Sequence, residues 1–257
     1  MPEGDTVWRT GVHLDEALTG RVLTETDFRV PAFATLDLSG RVVTGTLTRG
    51  KHLLTRIGDE HTLHTHLKME GSWHLYSPDT RWRRPDHQAR VVLRTAERVA
   101  VGFSLGITEV IPTSEEHTVV GHLGPDLLGD DWDEDEALRR LLARPERPVG
   151  EALLDQGNLA GIGNMYKCEI CFLQGIHPLL PVGEVPDLPR VVRRSKAVLE
   201  ANKHRAEQTT TGDLRKGRRM WVYRRERQPC LRCGTRIEVA ELGGRVTHWC
   251  PRCQPAP

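Results

Sequence analysis

The chain has 257 residues, 38% hydrophobic and 28% charged, which suits a globular protein large enough for two domains. No run of about 18 apolar residues occurs, which argues against a membrane-spanning helix. The start Met1-Pro2-Glu3-Gly4-Asp5 lacks the basic-then-apolar pattern of a secretory leader, so a cytosolic protein is expected.

Net charge is only +1, but it is unevenly spread. Residues 190–257 hold 17 Lys and Arg against 6 Asp and Glu, a net of +11 that leaves −10 for the rest. A basic last part suggests a polyanion partner, although a solvated charged surface gives the same count.

In chain order, residues 5–18 read as a helix with Val7, Val12, Leu14 and Leu18 on one stripe and Gly20 to end it. From 21 to about 110 the pattern becomes strand-like. Segments such as 41–47 and 90–94 are punctuated by Gly, Pro and Asp, as in a sandwich or barrel. Residues 126–136 carry seven acidic groups ahead of a helix over 137–142, where acids favour the positive helix start, and they mark a domain boundary. Short helices over 149–154 and 165–173 flank a Gly-rich connection, and a further helix covers roughly 188–203. The last segment is Arg-rich, then Cys-rich.

Cys230-x2-Cys233 and Cys250-x2-Cys253 form two knuckles, and Gly243-Gly244 between them suits a hairpin turn. Four thiolates complete a tetrahedral zinc site with no position left for water, so one structural Zn2+ is expected. Arg232, Arg236, Arg245 and Arg252 on such a ribbon suit phosphate contact or minor-groove entry. Cys168 and Cys171, three apart on a helix, read as packing residues, with a second metal site as the alternative.

Gly161-Ile162-Gly163-Asn164 places two glycines before a helix. Free N–H groups there can bind a phosphate, and Asn164 can cap the helix and donate to the same phosphate; an ordinary Gly-rich turn is the other reading. At the N-terminus, removal of Met1 would leave Pro2 with a free secondary amine. Such an amine is partly neutral near pH 7 and can attack a sugar C1′ to give an iminium. Glu3 beside it could move protons.

Four separated regions together resemble the formamidopyrimidine-DNA glycosylase/endonuclease VIII family. They are Met1-Pro2-Glu3-Gly4, Gly50-Lys51-His52-Leu53-Leu54, Leu153-Leu154-Asp155-Gln156 with Ala160-Gly161-Ile162-Gly163-Asn164, and the ending from Gly243 to Gln254. The resemblance runs the length of the chain, in the family's order. Pro-Glu-Gly looks more like the endonuclease VIII branch, including actinobacterial homologues.

The resemblance implies an α+β protein. An N-terminal helix and β-sandwich catalytic domain would span 1–125, a helical helix–two-turn–helix domain 126–222, and a β-hairpin zinc finger 223–257, with DNA in the cleft between. It implies a bifunctional DNA glycosylase/AP lyase of base excision repair, acting as a bacterial cytoplasmic monomer on nucleoid DNA. Oxidised bases, mainly pyrimidines, would be removed through a Pro2 Schiff base, followed by β,δ-elimination. Glu3 would be the general acid/base, Lys51 a phosphate contact that assists, and Asn164 and Arg245 clamps on duplex DNA with a flipped-out lesion. After His66, Met69 would fill the vacated stack.

Two departures bear on specificity. Glu70 stands where endonuclease VIII enzymes often carry an aromatic. The stretch Val101-Gly102-Phe103-Ser104-Leu105-Gly106 lacks the arginines of the formamidopyrimidine branch's Arg-Arg-Phe-Gly, which lowers the expectation of 8-oxoguanine excision. An 8-oxoguanine/formamidopyrimidine glycosylase and a non-catalytic zinc protein that binds damaged DNA are the alternative readings. The stretch Thr209-Thr210-Thr211-Gly212 with Arg215, Lys216, Arg218 and Arg219 reads either as a loop near the flipped base or as a basic linker.

Overall fold

A computed structural model describes residues 2–257; Met1, whose removal matters for the amine of Pro2, lies outside them. The chain forms two compact units. Pro2 and residues 6–122 make the first; residues 3–5 and 123–257 make the second.

The first unit holds most of helix α1 (Gly4–Leu18) and eight strands: β1 (Glu25–Phe28), β2 (Val43–Arg49), β3 (His52–Ile57), β4 (His61–His66), β5 (Ser72–Tyr76), β6 (Ala89–Arg94), β7 (Val99–Phe103) and β8 (Ile107–Pro112). They pair into two antiparallel sheets, ordered β1-β6-β7-β5 and β2-β3-β4-β8. This is the expected β-sandwich. Alternation along each strand sends one face inward. Leu53, Ile57 and Leu63 from one sheet and Val91, Leu93 and Ala100 from the other share a core with Val7, Leu14 and Leu18 of α1. A second cluster, with Tyr76, Val92, Val101 and Phe103, lies on the far side of the β6-β7-β5 sheet against Trp82.

The outer face of the β2-β3-β4-β8 sheet is polar. Helix α2 (Glu116–Val120) begins with Glu116, which accepts from Arg56 Nε at 2.8 Å and Nη2 at 2.7 Å and from Thr62 Oγ1 at 2.7 Å. Along the same face, Glu109 Oε1, His64 and His52 form a chain with two contacts of 2.7 Å.

The second unit contains α3 (Glu134–Leu142), α4 (Val149–Leu154), α5 (Asn164–Gln174), α6 (Leu188–Asn202) and a hairpin of β9 (Glu238–Leu242) and β10 (Arg245–Trp249). Helix α3 starts three residues before the expected 137, because Asp133 caps it by accepting from Glu136 N at 2.9 Å. The α4–α5 connection is stapled by Gln156, whose Nε2 donates to Leu154 O and Ile162 O at 2.8 and 2.9 Å while Oε1 accepts from Gly161 N at 3.1 Å. Ala152, Leu153, Ile162, Tyr166, Ile170, Cys171, Val192 and Leu199 form the helical core. No helix is long and apolar enough to cross a membrane among the described residues.

Candidate active site and zinc hairpin

The second unit builds its site around the start of α5. The first N–H groups of a helix have no partner within it. Here the Glu3 carboxylate takes them: Gly163 N donates to Oε2 at 2.7 Å, Met165 N to Oε1 at 2.8 Å and Tyr166 N to Oε2 at 3.3 Å. Glu3 is fully buried. A buried carboxylate requires such donors, and the helix dipole favours negative charge at this end.

Glycines make the approach possible. A Cβ on Gly163 would lie 2.5 Å from Glu3 Cδ, and one on Gly4 would lie 2.9 Å from Gly161 Cα. Gly4 N donates to Gly161 O at 2.9 Å, and Gly161 itself has φ +114°.

Two expectations are corrected by this arrangement. Asn164 does not cap α5; Gly163 holds the cap position without a side-chain bond, and Asn164 Nδ2 donates instead to Val246 O at 2.7 Å. The N–H groups of Gly163, Met165 and Tyr166 are not open to a phosphate, because Glu3 occupies them. An amide nitrogen carries two hydrogens, so Asn164 Nδ2 keeps a second donor.

Sequence reasoning passed over the neighbours of Glu3. Tyr166 Oη donates to Asp5 Oδ2 at 2.8 Å, and Gln208 Nε2 donates to both Asp5 oxygens at 2.8 and 2.9 Å. Burial, then the Asp5 carboxylate, pushes the Tyr166 hydroxyl above its ordinary value. Gln208 opens the stretch whose role was open between loop and linker. That stretch is tied down: Thr209 exchanges bonds with Asn202 at 2.8 and 2.9 Å, and Thr210 Oγ1 donates to the buried Glu169. Glu169 also accepts from Trp221, Val222 and Tyr223 N at 2.8–2.9 Å.

The four cysteines of the hairpin converge, with their Sγ atoms all within 4.8 Å of one another. Cys230 and Cys253 are 4.0 Å apart, and Cys233 and Cys250 3.5 Å. Tetrahedral zinc with Zn–S of about 2.3 Å requires S–S spacings of about 3.8 Å. The donor set fits one structural zinc.

The hairpin lies along α5. Lys167 Nζ donates to Thr247 Oγ1 at 2.5 Å, and His248 N reaches Cys168 Sγ at 3.5 Å. Cys168 packs on the zinc side with Phe172, Val222 and Ile237, and Cys171 in the helical core. Both are fully buried packing residues, and that burial pushes their thiols up to about 11 and about 12. Arg232 is exposed, with its guanidinium 4.3 Å above the Phe172 ring. Arg245 is exposed at the hairpin tip, after Gly243 and Gly244 at φ +57° and +70°.

In the first unit, Lys51 is half-buried in the β2–β3 turn behind Gly50 at φ +58°. His66 ends β4, and its Nδ1 accepts from Lys68 N at 2.9 Å. That bond holds Lys68 at φ +51° and shapes the turn that presents Met69, 61% exposed. Burial, then Lys68 and Lys51, lowers His66 to about 4. Burial, then His66 and His64, lowers His52 to about 3. The alternation His64-Thr65-His66 was the available signal that these histidines share a face.

A β-sandwich unit, a helical unit and a four-cysteine hairpin follow one another along the chain. Family models match each part: the formamidopyrimidine-DNA glycosylase N-terminal domain over residues 1–104, the formamidopyrimidine-DNA glycosylase H2TH domain over 123–211, and the zinc finger found in FPG and IleRS over 227–256.

Among relatives, the probable endonuclease 8 2 of Streptomyces coelicolor is 54% identical, covering 100% of this chain and 95% of that protein. The DNA-(apurinic or apyrimidinic site) lyase Nei2 of Mycolicibacterium smegmatis is 49% identical over 100% of both. The chain therefore belongs to the formamidopyrimidine-DNA glycosylase/endonuclease VIII family. The formamidopyrimidine DNA glycosylase of Lactococcus lactis, solved with DNA containing an abasic site, shares the fold at TM-score 0.84 and 24% identity, over 99% of this chain and 100% of that one.

Proposed function

We propose that this protein is a bifunctional DNA glycosylase and AP lyase of base excision repair that removes oxidised, mainly pyrimidine, bases. The observation that carries the reading is the Glu3 carboxylate, buried and fixed by three backbone N–H groups one residue after Pro2. The names of the 54% and 49% identical relatives support it.

In this reading, loss of Met1 exposes the Pro2 amine. Its nitrogen attacks C1′ of the damaged nucleotide; a C1′–N bond forms as the glycosidic bond breaks and the base leaves with a proton. The Pro2 N–H proton leaves with the base, and Glu3, after taking up a proton from solvent, passes it to the ring oxygen as the sugar opens, leaving the iminium. The iminium then acidifies C2′. Loss of that proton expels the 3′ phosphate, and a second elimination expels the 5′ phosphate.

Lys51, Asn164 and Arg245 contact phosphates around the lesion. Met69, with its turn set by His66, fills the gap left by the extruded nucleotide. We assign residues 1–125 to catalysis, 126–222 to helical DNA binding and 223–257 to the zinc finger, in a monomer acting in the cytoplasm on the nucleoid.

Borohydride trapping on a duplex with one abasic site tests the mechanism, with Pro2→Thr as control and mass analysis of the N-terminus. An adduct mapping to Pro2, absent from the variant, is expected. No adduct from zinc-loaded protein starting at Pro2 would sink the lyase reading. A panel of oxidised pyrimidines and 8-oxoguanine in the same duplex then ranks the lesions.

A further inference from the structure

The loop between β5 and β6 contains Thr80-Arg81-Trp82-Arg83-Arg84-Pro85-Asp86 and lines a cavity of about 610 Å³. It is anchored like a piece of core. Trp82 lies edge-on to Phe103 at 5.8 Å, with the Arg29 guanidinium 5.5 Å from its ring. Arg29 in turn pairs with Asp27 at 2.6 Å and Asp86 at 2.9 Å. Arg83 N donates to Tyr76 Oη at 3.1 Å.

Arg84 ties the loop to two turns. Its Nη1 donates to Ser72 Oγ at 2.8 Å and to Glu70 O at 3.2 Å, at the end of the Met69 turn. Its Nη2 donates to Ser104 Oγ at 3.3 Å, its Nε to Gln88 Oε1 at 2.9 Å, and its guanidinium sits 5.6 Å from the Phe103 ring. Phe103 and Ser104 belong to the segment that lacks the Arg-Arg of the formamidopyrimidine branch. In this chain Arg84 alone reaches that segment, from a different loop.

The two remaining guanidinium groups are unspent. Arg81 and Arg83 are exposed, and neither has an acidic partner among the described residues. Two like charges two residues apart on a fixed loop repel each other, and among the described residues neither forms an ion pair; Asp86, on the same loop, is taken by Arg29. A polyanion would neutralise them, and planar guanidinium groups match phosphate oxygens in pairs.

We propose that the β5–β6 loop is a second DNA-contact element beside the Met69 turn: Arg81 and Arg83 bind backbone phosphates of the duplex, and Arg84 is the positioning residue that fixes the loop to the Met69 and Ser104 turns. The proposal rests on the reading that this protein acts on duplex DNA.

The test is the salt dependence of binding to a duplex carrying one tetrahydrofuran abasic analogue, read by fluorescence anisotropy between 50 and 200 mM KCl. Each phosphate contact contributes roughly 0.9 to the slope of log K against log salt. The Arg81→Ala/Arg83→Ala variant is expected to lower that slope by about 2 and to raise Kd roughly tenfold in the middle of the range. Arg81→Lys/Arg83→Lys should restore the slope. Arg84→Gln should keep the slope near wild type while raising the KM for base excision more than it lowers kcat.

Thermal melting of each variant guards against misfolding. A double variant that melts like wild type and keeps its slope and Kd overturns the proposal. Failure of the lyase reading looks different: wild-type protein would then trap no adduct, while the slope comparison still decides the loop.

Discussion

Glu3 is buried, and its carboxylate is held by three backbone N–H groups at the start of α5. Its partners lie 160 to 163 residues away, and nothing in a Pro-Glu-Gly start announces them. Local rules offered Asn164 as a cap and open N–H groups as a phosphate site; a contact distant in sequence replaced both. The glycines were visible, but their reason was not: Gly163 leaves room for a carboxylate, not for a ligand. A Gly163→Ala variant would place its Cβ 2.5 Å from Glu3 Cδ, so the carboxylate must move. Borohydride trapping by Gly163→Ala is expected to fall about 100-fold, the low end of what a displaced proton-transfer group costs. Glu3→Gln should fall at least as far, because its NH2 faces N–H donors. Leaving one such buried donor unpaired costs about 1–3 kcal/mol, visible as a lower midpoint in urea. Full trapping by Gly163→Ala would show that the position of Glu3 is not critical.

Whole elements were easier to read than their ends. The two knuckles and Gly243-Gly244 specify a ribbon by spacing alone, and the apolar stripe of α1 specifies its helix. Strands were recognisable but their pairing was not, because register depends on which face each strand buries. The polar face of the β2-β3-β4-β8 sheet is one result. His52 and His66 are held at about 3 and about 4, below the ordinary 6.5, chiefly by burial. Between about pH 6.5 and about pH 4 the unfolded chain takes up protons that these folded side chains refuse. Their contribution is therefore complete above pH 6.5 and is lost as pH falls through that window. The urea midpoint should drop between pH 7 and pH 5. His66→Gln, which keeps an acceptor for Lys68 N without titrating, should flatten the drop. An unchanged slope in that variant would mean that His66 is not the group responsible.

At the scale of the molecule, the charge asymmetry was visible as a count, and the structure shows how the basic segment is secured. Its last residues are held on α5 by Asn164, Lys167 and Cys168, which contact Val246, Thr247 and His248. Zinc stripped by a strong chelator should release the hairpin and with it Arg245. Duplex affinity is expected to fall at least tenfold, while the β-sandwich core, which contains none of the four cysteines, stays folded by circular dichroism. Unchanged affinity after verified zinc loss would remove Arg245 from the DNA contacts. Helix α5 is also held at its start by Glu3, so residues from both ends of the chain meet on one helix. During translation that helix leaves the ribosome well before the cysteines that fasten its flank. A chain cut short by a premature stop therefore carries Pro2 and Glu3 but lacks the hairpin. Only a chain synthesised through Cys253 brings four cysteines to the flank of the helix that Glu3 holds at its start.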